Sequence, residues 1–212
     1  MQHWEVDIIT ISIALSEENH DINKELEQAL DPKYNNATGK IIFAAAGNKG
    51  GNKQLAWPAR KKGVIAIHAT DWQGTAANLN PSGDEGKANF ATLGRDIRMP
   101  WFFDTGEVKD CYISGTSFAT PIAAGIAANI LEFARYRLDL NTRRKDRLFS
   151  HDGMRKIFRE MSTRRGDYRY VQPWTLWEEA YKGDWGNPKD VELTPNDPEN
   201  IRKVLEFIIG KI

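Results

Sequence analysis

Hydrophobic positions along the chain switch between two periods. Residues 6–13 form a run of apolar side chains interrupted only by Asp7, Thr10 and Ser12, which reads as a buried strand. Ile22, Leu26, Ala29 and Leu30 then recur at helical spacing, with Asp21 as the expected cap and Pro32, Asn35-Asn36 and Gly39 as the stop. Residues 40–46 and 64–69 are two further strands. The first of these runs into the turn Gly47-Asn48-Lys49-Gly50-Gly51-Asn52. Strands alternating with helices predict an α/β domain with a parallel sheet, and a polar turn at the carboxyl end of a strand is where such sheets build their sites. Residues 71–112 mix Gly, Asn, Pro and short apolar pieces, predicting loops and short strands.

Residues 115–131 are small and apolar on every side, so a helix there belongs inside the domain. Pro121 is tolerated in a first helical turn, which places the helix start near Ser117. Residues 132–169 carry twelve Lys or Arg against six Asp or Glu, with a helix predicted over 153–161 and a solvated loop for the basic run Arg143-Arg144-Lys145-Asp146-Arg147. Beyond Val171 the Trp and Pro content predicts an extension laid over the surface. It ends in an amphipathic helix over 199–209 with Ile201, Val204, Leu205 and Ile208 on one face. The expected organisation is therefore a domain over 1–170 and an extension over 171–212.

Composition narrows the class. The 212 residues are 41% hydrophobic and 27% charged, which excludes a disordered polyampholyte, and no apolar run approaches the roughly 20 residues of a membrane span. Lys and Arg number 29 and so do Asp and Glu, so overall charge points to neither a nucleic-acid nor a membrane partner. Cys111 is the one cysteine, excluding an intrachain disulfide or a Cys-based zinc site, and no residue cluster calls for a metal or cofactor. No export signal is visible in the opening residues, which leaves the compartment open and slightly favours an intracellular one.

Ser117 sits at the start of the predicted buried helix behind Gly115 and Thr116. A helix N-terminus presents unpaired N–H groups, so a serine there can aim its own amide at negative charge developing beside its Oγ. The plainer alternative is a serine N-cap on a core helix. The heptad Gly115-Thr116-Ser117-Phe118-Ala119-Thr120-Pro121 resembles the nucleophile motif G-T-S-x-A-x-P of the subtilisin-like serine proteases, and Ala45-Ala46-Gly47-Asn48 resembles that family's oxyanion segment. Residues 48 and 117 lie 69 apart, against about 66 for the corresponding pair in subtilisin. Trp57-Pro58-Ala59 with Gly63-Val64-Ile65-Ala66 is similar to the stretch behind the primary specificity pocket, and residues 6–12 to the substrate-pairing strand.

The resemblance implies a three-layer subtilisin-like α/β fold, incomplete on its N-terminal side, and acyl transfer on a polypeptide substrate. It makes Ser117 the nucleophile and Asn48 an oxyanion donor, with Ser12, Ile13, Ala14, Ala45, Ala46, Gly47 and Thr116 at the substrate. The family's histidine precedes its serine by about 157 positions, far more than the chain offers before Ser117. No H-G-T motif appears, and Asp104-Thr105-Gly106 comes too late in the chain to supply the aspartate.

Four histidines remain to be weighed: His3 at the terminus, His20 before a helix, His68 as a hydrogen-bonded residue within a strand, and His151 at a helix start with a surface role. None matches the family's base. Two further features bear on specificity: Phe118 narrows the leaving-group side, and Ala14 stands where the family pattern has glycine. Cys111 reads as a small buried hydrophobe. Two functions follow as expectations: an endopeptidase domain whose Asp and His come from a missing N-terminal half, or a non-catalytic peptide-binding module of the same descent. A phosphate-cradling role for residues 47–52 is weaker, because the turn lacks G-x-G-x-x-G.

Overall fold

The computed structural model describes residues 5–34, 38–51, 53–84 and 88–175, with residues 202, 206 and 209. Its elements are β1 (Ile8–Ile11), α1 (His20–Leu30), β2 (Ile41–Ala45), β3 (Val64–Thr70), β4 (Phe90–Leu93), β5 (Ile97–Phe102), β6 (Val108–Ile113), α2 (Thr116–Arg137), α3 (Thr142–Leu148), α4 (His151–Glu160), β7 (Ser162–Arg165) and β8 (Tyr168–Val171). Six strands form one sheet in the order β1-β2-β3-β4-β8-β7. It is parallel from β1 through β8 and antiparallel only at β7. β5 and β6 make a separate antiparallel hairpin, and Asp104-Thr105-Gly106 is its exposed turn.

The sheet is covered on both faces. Ile41, Phe43, Ile65, Ile67 and Ala69 point to the side of α2 and α4, whose Ala119, Ala123, Ala127, Met154, Ile157 and Phe158 complete the larger core. Ile42, Ala44 and Val64 point the other way, toward Leu26 of α1 and toward Trp57 and Ala59. Burial on both faces explains why β2 reads as an unbroken apolar run. The expected three-layer α/β architecture is thus observed.

Several boundaries differ from the sequence reading. β1 is shorter than residues 6–13 and lies at the sheet edge, where β2 is its neighbour. Asn19, rather than Asp21, caps α1, because its side-chain oxygen accepts from the Ile22 N–H at 3.1 Å. The basic run at 143–147 is the exposed helix α3, capped by Asn141, instead of a loop. α2 is 22 residues long and apolar enough by composition to cross a membrane, yet it packs on the sheet by one face. The opposite face, with Pro121, Ile122, Gly125 and Ala128, is exposed, so close approach to the sheet comes from Ala119 and Ala123 and not from Gly125.

Gly94 is what lets the start of α2 seat against β4. A Cβ there would lie 2.8 Å from Ala119 Cβ and Ala69 Cβ, and the Gly94 carbonyl accepts from the Gly115 N–H at 2.8 Å. Asp7, just before β1, pairs with Arg135 of α2 at 2.7 Å and ties the edge strand to the same helix. Of the expected helix over 199–209, all but Arg202, Glu206 and Ile209 lies outside the described residues; Ile209 is buried in the larger core.

Candidate active site

Three chain segments meet at the carboxyl ends of β1 and β2: Ser12 to Ala14, Ala46 to Asn48, and the first turn of α2. Gly115 is the N-cap of α2, so the helix begins one residue earlier than expected, and the Ser117 hydroxyl is not used as a cap. Thr116 is fully buried and acts as a clamp. Its N–H donates to Asn48 Oδ1 at 2.9 Å, its hydroxyl donates to the same oxygen at 3.0 Å, and that hydroxyl accepts from the Gly47 N–H at 3.1 Å. With Oδ1 doubly held, the Asn48 amide can face only one way, and its Nδ2 lies over Gly115. A Cβ at that glycine would sit 3.2 Å from Asn48 Nδ2 and 3.5 Å from the Phe118 ring. A side-chain N–H donor therefore stands beside the turn that carries Ser117.

Ser117 and Ser12 hold each other. Ser117 Oγ donates to the Ser12 carbonyl at 3.0 Å, and Ser12 Oγ donates to the Ser117 carbonyl at 2.9 Å. Ser12, Ile13 and Ala14 are exposed, with Ile13 at 58%, leaving the backbone of this segment accessible at the sheet edge. The bridge between Leu15 and Trp57, 2.8 and 2.9 Å in its two hydrogen bonds, fixes where the segment leaves the sheet. Ala45 and Ala46 are wholly buried. The Ala46 N–H donates to the Ile67 carbonyl and the Ala46 carbonyl accepts from the Ala56 N–H, which anchors the backbone directly before Gly47 and Asn48.

Among the described residues no imidazole is hydrogen bonded to Ser117. His68 is fully buried in β3, its Nδ1 3.2 Å from the Phe90 carbonyl and its ring 4.9 Å from that of Tyr168. A carbonyl only accepts, so Nδ1 carries the proton and the neutral ring is the form held. Burial drives its pKa down to about 4, against the opposing pull of the Phe90 carbonyl and Asp84. His151 opens α4 with Nδ1 3.0 Å from Asp152 Oδ1. Burial lowers its pKa while Asp152 opposes. It lines a cavity of about 540 Å³ with Lys62, Asp84 and Arg155 at the amino ends of β3 and β4, the opposite end of the sheet from Ser117. His151 is thus partly buried rather than a plain surface residue.

Sequence reasoning placed Thr116 at the substrate but missed that it orients Asn48. The signal was a hydroxyl residue directly before the serine. The reciprocal pairing of Ser12 with Ser117 left no trace in spacing, because it joins the segment after β1 to the first turn of α2, 105 residues apart.

The sequence profile of the subtilase family, Peptidase_S8, matches residues 2–159. The chain is 32% identical over 130 residues to the minor extracellular protease Epr of Bacillus subtilis, covering 58% of this chain and 17% of that protein. It is 34% identical over 110 residues to thermitase of Thermoactinomyces vulgaris, covering 50% of this chain and 34% of that protein. The chain therefore spans about a third or less of the length of these relatives. Among solved structures, a variant of the protease domain of PatA superposes with a TM-score of 0.58 at 23% identity, covering 84% of this chain and 61% of that one. The prenylagaramide maturation protease PagA does so at 0.52 and 24% identity, covering 96% and 62%; at such identities the likeness is one of fold. With three-quarters of its length matched by the family profile and the G-T-S turn and Asn48 meeting at the carboxyl ends of one parallel sheet, this chain belongs to the subtilase family, the subtilisin-like serine proteases.

Proposed function

We propose that the chain carries the nucleophile and oxyanion portion of a serine endopeptidase, and that its general base arrives with an N-terminal portion of the catalytic domain seated along the open edge of β1. The observation behind this reading is the Thr116 clamp, which turns the Asn48 amide nitrogen toward the turn bearing Ser117. In the reaction Ser117 Oγ attacks a peptide carbonyl while its proton passes to the incoming imidazole. The tetrahedral oxyanion accepts hydrogen bonds from Asn48 Nδ2 and the Ser117 N–H, an arrangement that supplies stabilisation only as charge develops. The imidazole then protonates the leaving amine, and water releases the acyl group. Residues 12–14 pair with the substrate backbone, Gly47 borders the cleft, and Phe118 narrows its leaving-group side.

A second reading, a peptide-binding module without turnover, is favoured by one contact. The Ser117 hydroxyl rests on the Ser12 carbonyl, an acceptor far too weakly basic to take its proton. A fluorophosphonate probe separates the two. Labelling of Ser117, located by peptide mass mapping in the chain alone or after addition of the His- and Asp-bearing N-terminal portion of a subtilase domain, is the outcome expected of the enzyme. Absence of labelling in both conditions leaves the binding module.

A further inference from the structure

Pro121 is the sixth residue of α2. In a regular helix the amide at that position donates to the carbonyl four residues back, which here is the carbonyl of Ser117. Proline has no N–H, so the residue that bears the nucleophilic hydroxyl loses its helical partner. The expectation that Pro121 falls harmlessly in the first turn does not hold: Ala119 already donates to the Gly115 carbonyl, and Pro121 lies beyond the last amide that helical geometry leaves unpaired.

The missing donor is replaced from another segment. Ser12 Oγ lies 2.9 Å from the Ser117 carbonyl oxygen and donates to it. Two neighbouring carbonyls of the same turns also receive hydroxyl donors, Thr116 from Thr120 at 2.7 Å and Ala119 from Thr92 at 2.7 Å. These hydroxyls differ in origin. Thr120 belongs to α2 itself and Thr92 to the sheet beneath it, whereas Ser12 belongs to the exposed segment that follows β1.

From this geometry we infer that Ser12 is a positioning residue for Ser117: its hydroxyl stands in for the amide that Pro121 lacks and locks the nucleophile's backbone to the segment over which the substrate passes. The inference rests on Ser117 being the nucleophile and adds to Ser12 a role separate from substrate contact. Ser117's carbonyl is joined to its Cα by one rotatable bond, so holding that oxygen restricts the backbone torsion that sets the direction of the Cα–Cβ bond about which Oγ rotates. The return bond, from Ser117 Oγ to the Ser12 carbonyl, sets where the hydroxyl waits. Misplacement of a reacting group by about 1 Å is enough to cost up to about a hundredfold in rate.

A mutant cycle in the full chain tests the substitution of one donor for another. Ser12→Ala, Pro121→Ala and the double variant are compared with the parent, and Ser12→Thr serves as the conservative variant. Two quantities are read: the fluorophosphonate labelling rate of Ser117, with the N-terminal portion added where needed, and the folding equilibrium constant from denaturant unfolding. In the Pro121 background Ser12→Ala is expected to lower the folding constant about fivefold, the effect of one hydrogen bond. It is expected to slow labelling about tenfold. With alanine at 121 an amide again reaches the Ser117 carbonyl, and both effects of Ser12→Ala shrink toward nothing. Ser12→Thr, which keeps the hydroxyl, restores most of the rate. Equal effects of Ser12→Ala in the two backgrounds, or none in the parent, overturn the inference. Failure of every chain to label refutes the enzymatic reading instead, and the stability cycle then decides whether Ser12 holds the Ser117 carbonyl.

Discussion

Thr116 grips Asn48 by one atom: the backbone N–H and the hydroxyl of Thr116 both donate to Asn48 Oδ1, at 2.9 and 3.0 Å. An asparagine amide held by its oxygen has no freedom to flip, so its two N–H bonds point away from Thr116. The fully buried position of Thr116 protects these bonds from exchange with water. The orientation of the Asn48 amide is thereby built into the residue before the serine.

Thr116→Val keeps the shape and the backbone bond but removes the hydroxyl, which also leaves the Gly47 N–H without its acceptor. The expected cost is about 1–3 kcal/mol of stability, read from denaturant unfolding, with a fall of about tenfold in fluorophosphonate labelling of Ser117. Thr116→Ser retains the bonds and is expected to label at close to the parent rate. A valine variant indistinguishable from the parent in both measurements removes Thr116 from the machinery.

Gly115→Ala places a methyl group 3.2 Å from Asn48 Nδ2 and 3.5 Å from the Phe118 ring. The backbone at 115 is extended, so the substitution acts through contact rather than strain. Asn48 must give way by a few tenths of an ångström. Labelling is expected to fall about tenfold while the unfolding midpoint changes little, and the split between the two readings is the check.

His68 makes stability depend on acidity. The ring is fully buried and neutral, its pKa falling from the usual 6.5 to about 4, chiefly through burial. In the unfolded chain the ring takes up a proton below about pH 6.5, whereas the folded chain resists until about pH 4. The contribution is therefore complete above pH 6.5 and lost as pH falls toward 4, and amounts to about 3 kcal/mol. Urea unfolding from pH 8 to pH 4 is expected to show this loss. His68→Phe, which cannot titrate, is expected to flatten the profile, and an unchanged slope in that variant contradicts the account.

β1 has β2 on one side, and among the described residues no strand on the other. Its unpaired N–H and C=O groups form a template for further strands. Concentration-dependent association of the chain is expected in sedimentation experiments. It is weakened by Thr10→Lys, which sets a charge on an exposed edge position, and by the added N-terminal portion. A monomer at all concentrations counts against an open edge.

Half of the six-stranded sheet, β1 to β3, was legible: β2 is buried on both faces and reads as an unbroken apolar run, and β3 reads as an apolar run broken only by His68 and Thr70. The start of α2 was legible, but neither its end, which lies at Arg137 beyond the expected 131, nor the side it buries. Alanines and glycines lie on both its faces, so composition could not tell the sheet-facing Ala123 from the exposed Ala128. The chain could not reveal the β5–β6 hairpin or β8 with the same clarity, since the hairpin residues are mostly exposed and the place of β8 is set by long-range pairing such as Phe90 with Arg169. At the site, Ser117 and Asn48 stood out through local motifs. The roles of Ser12 and of Thr116 come from contacts across 105 and 68 residues, which only the folded sheet brings together.

The central claim is that Asn48 Nδ2 and the Ser117 N–H converge on one oxyanion. It is tested most directly by the crystal structure of the phosphonylated Ser117 adduct. The account predicts the phosphonyl oxygen about 2.7–3.1 Å from both nitrogens, with Asn48 Oδ1 still held by Thr116. An adduct whose oxygen faces away from Asn48, or an Asn48 amide turned elsewhere, contradicts it.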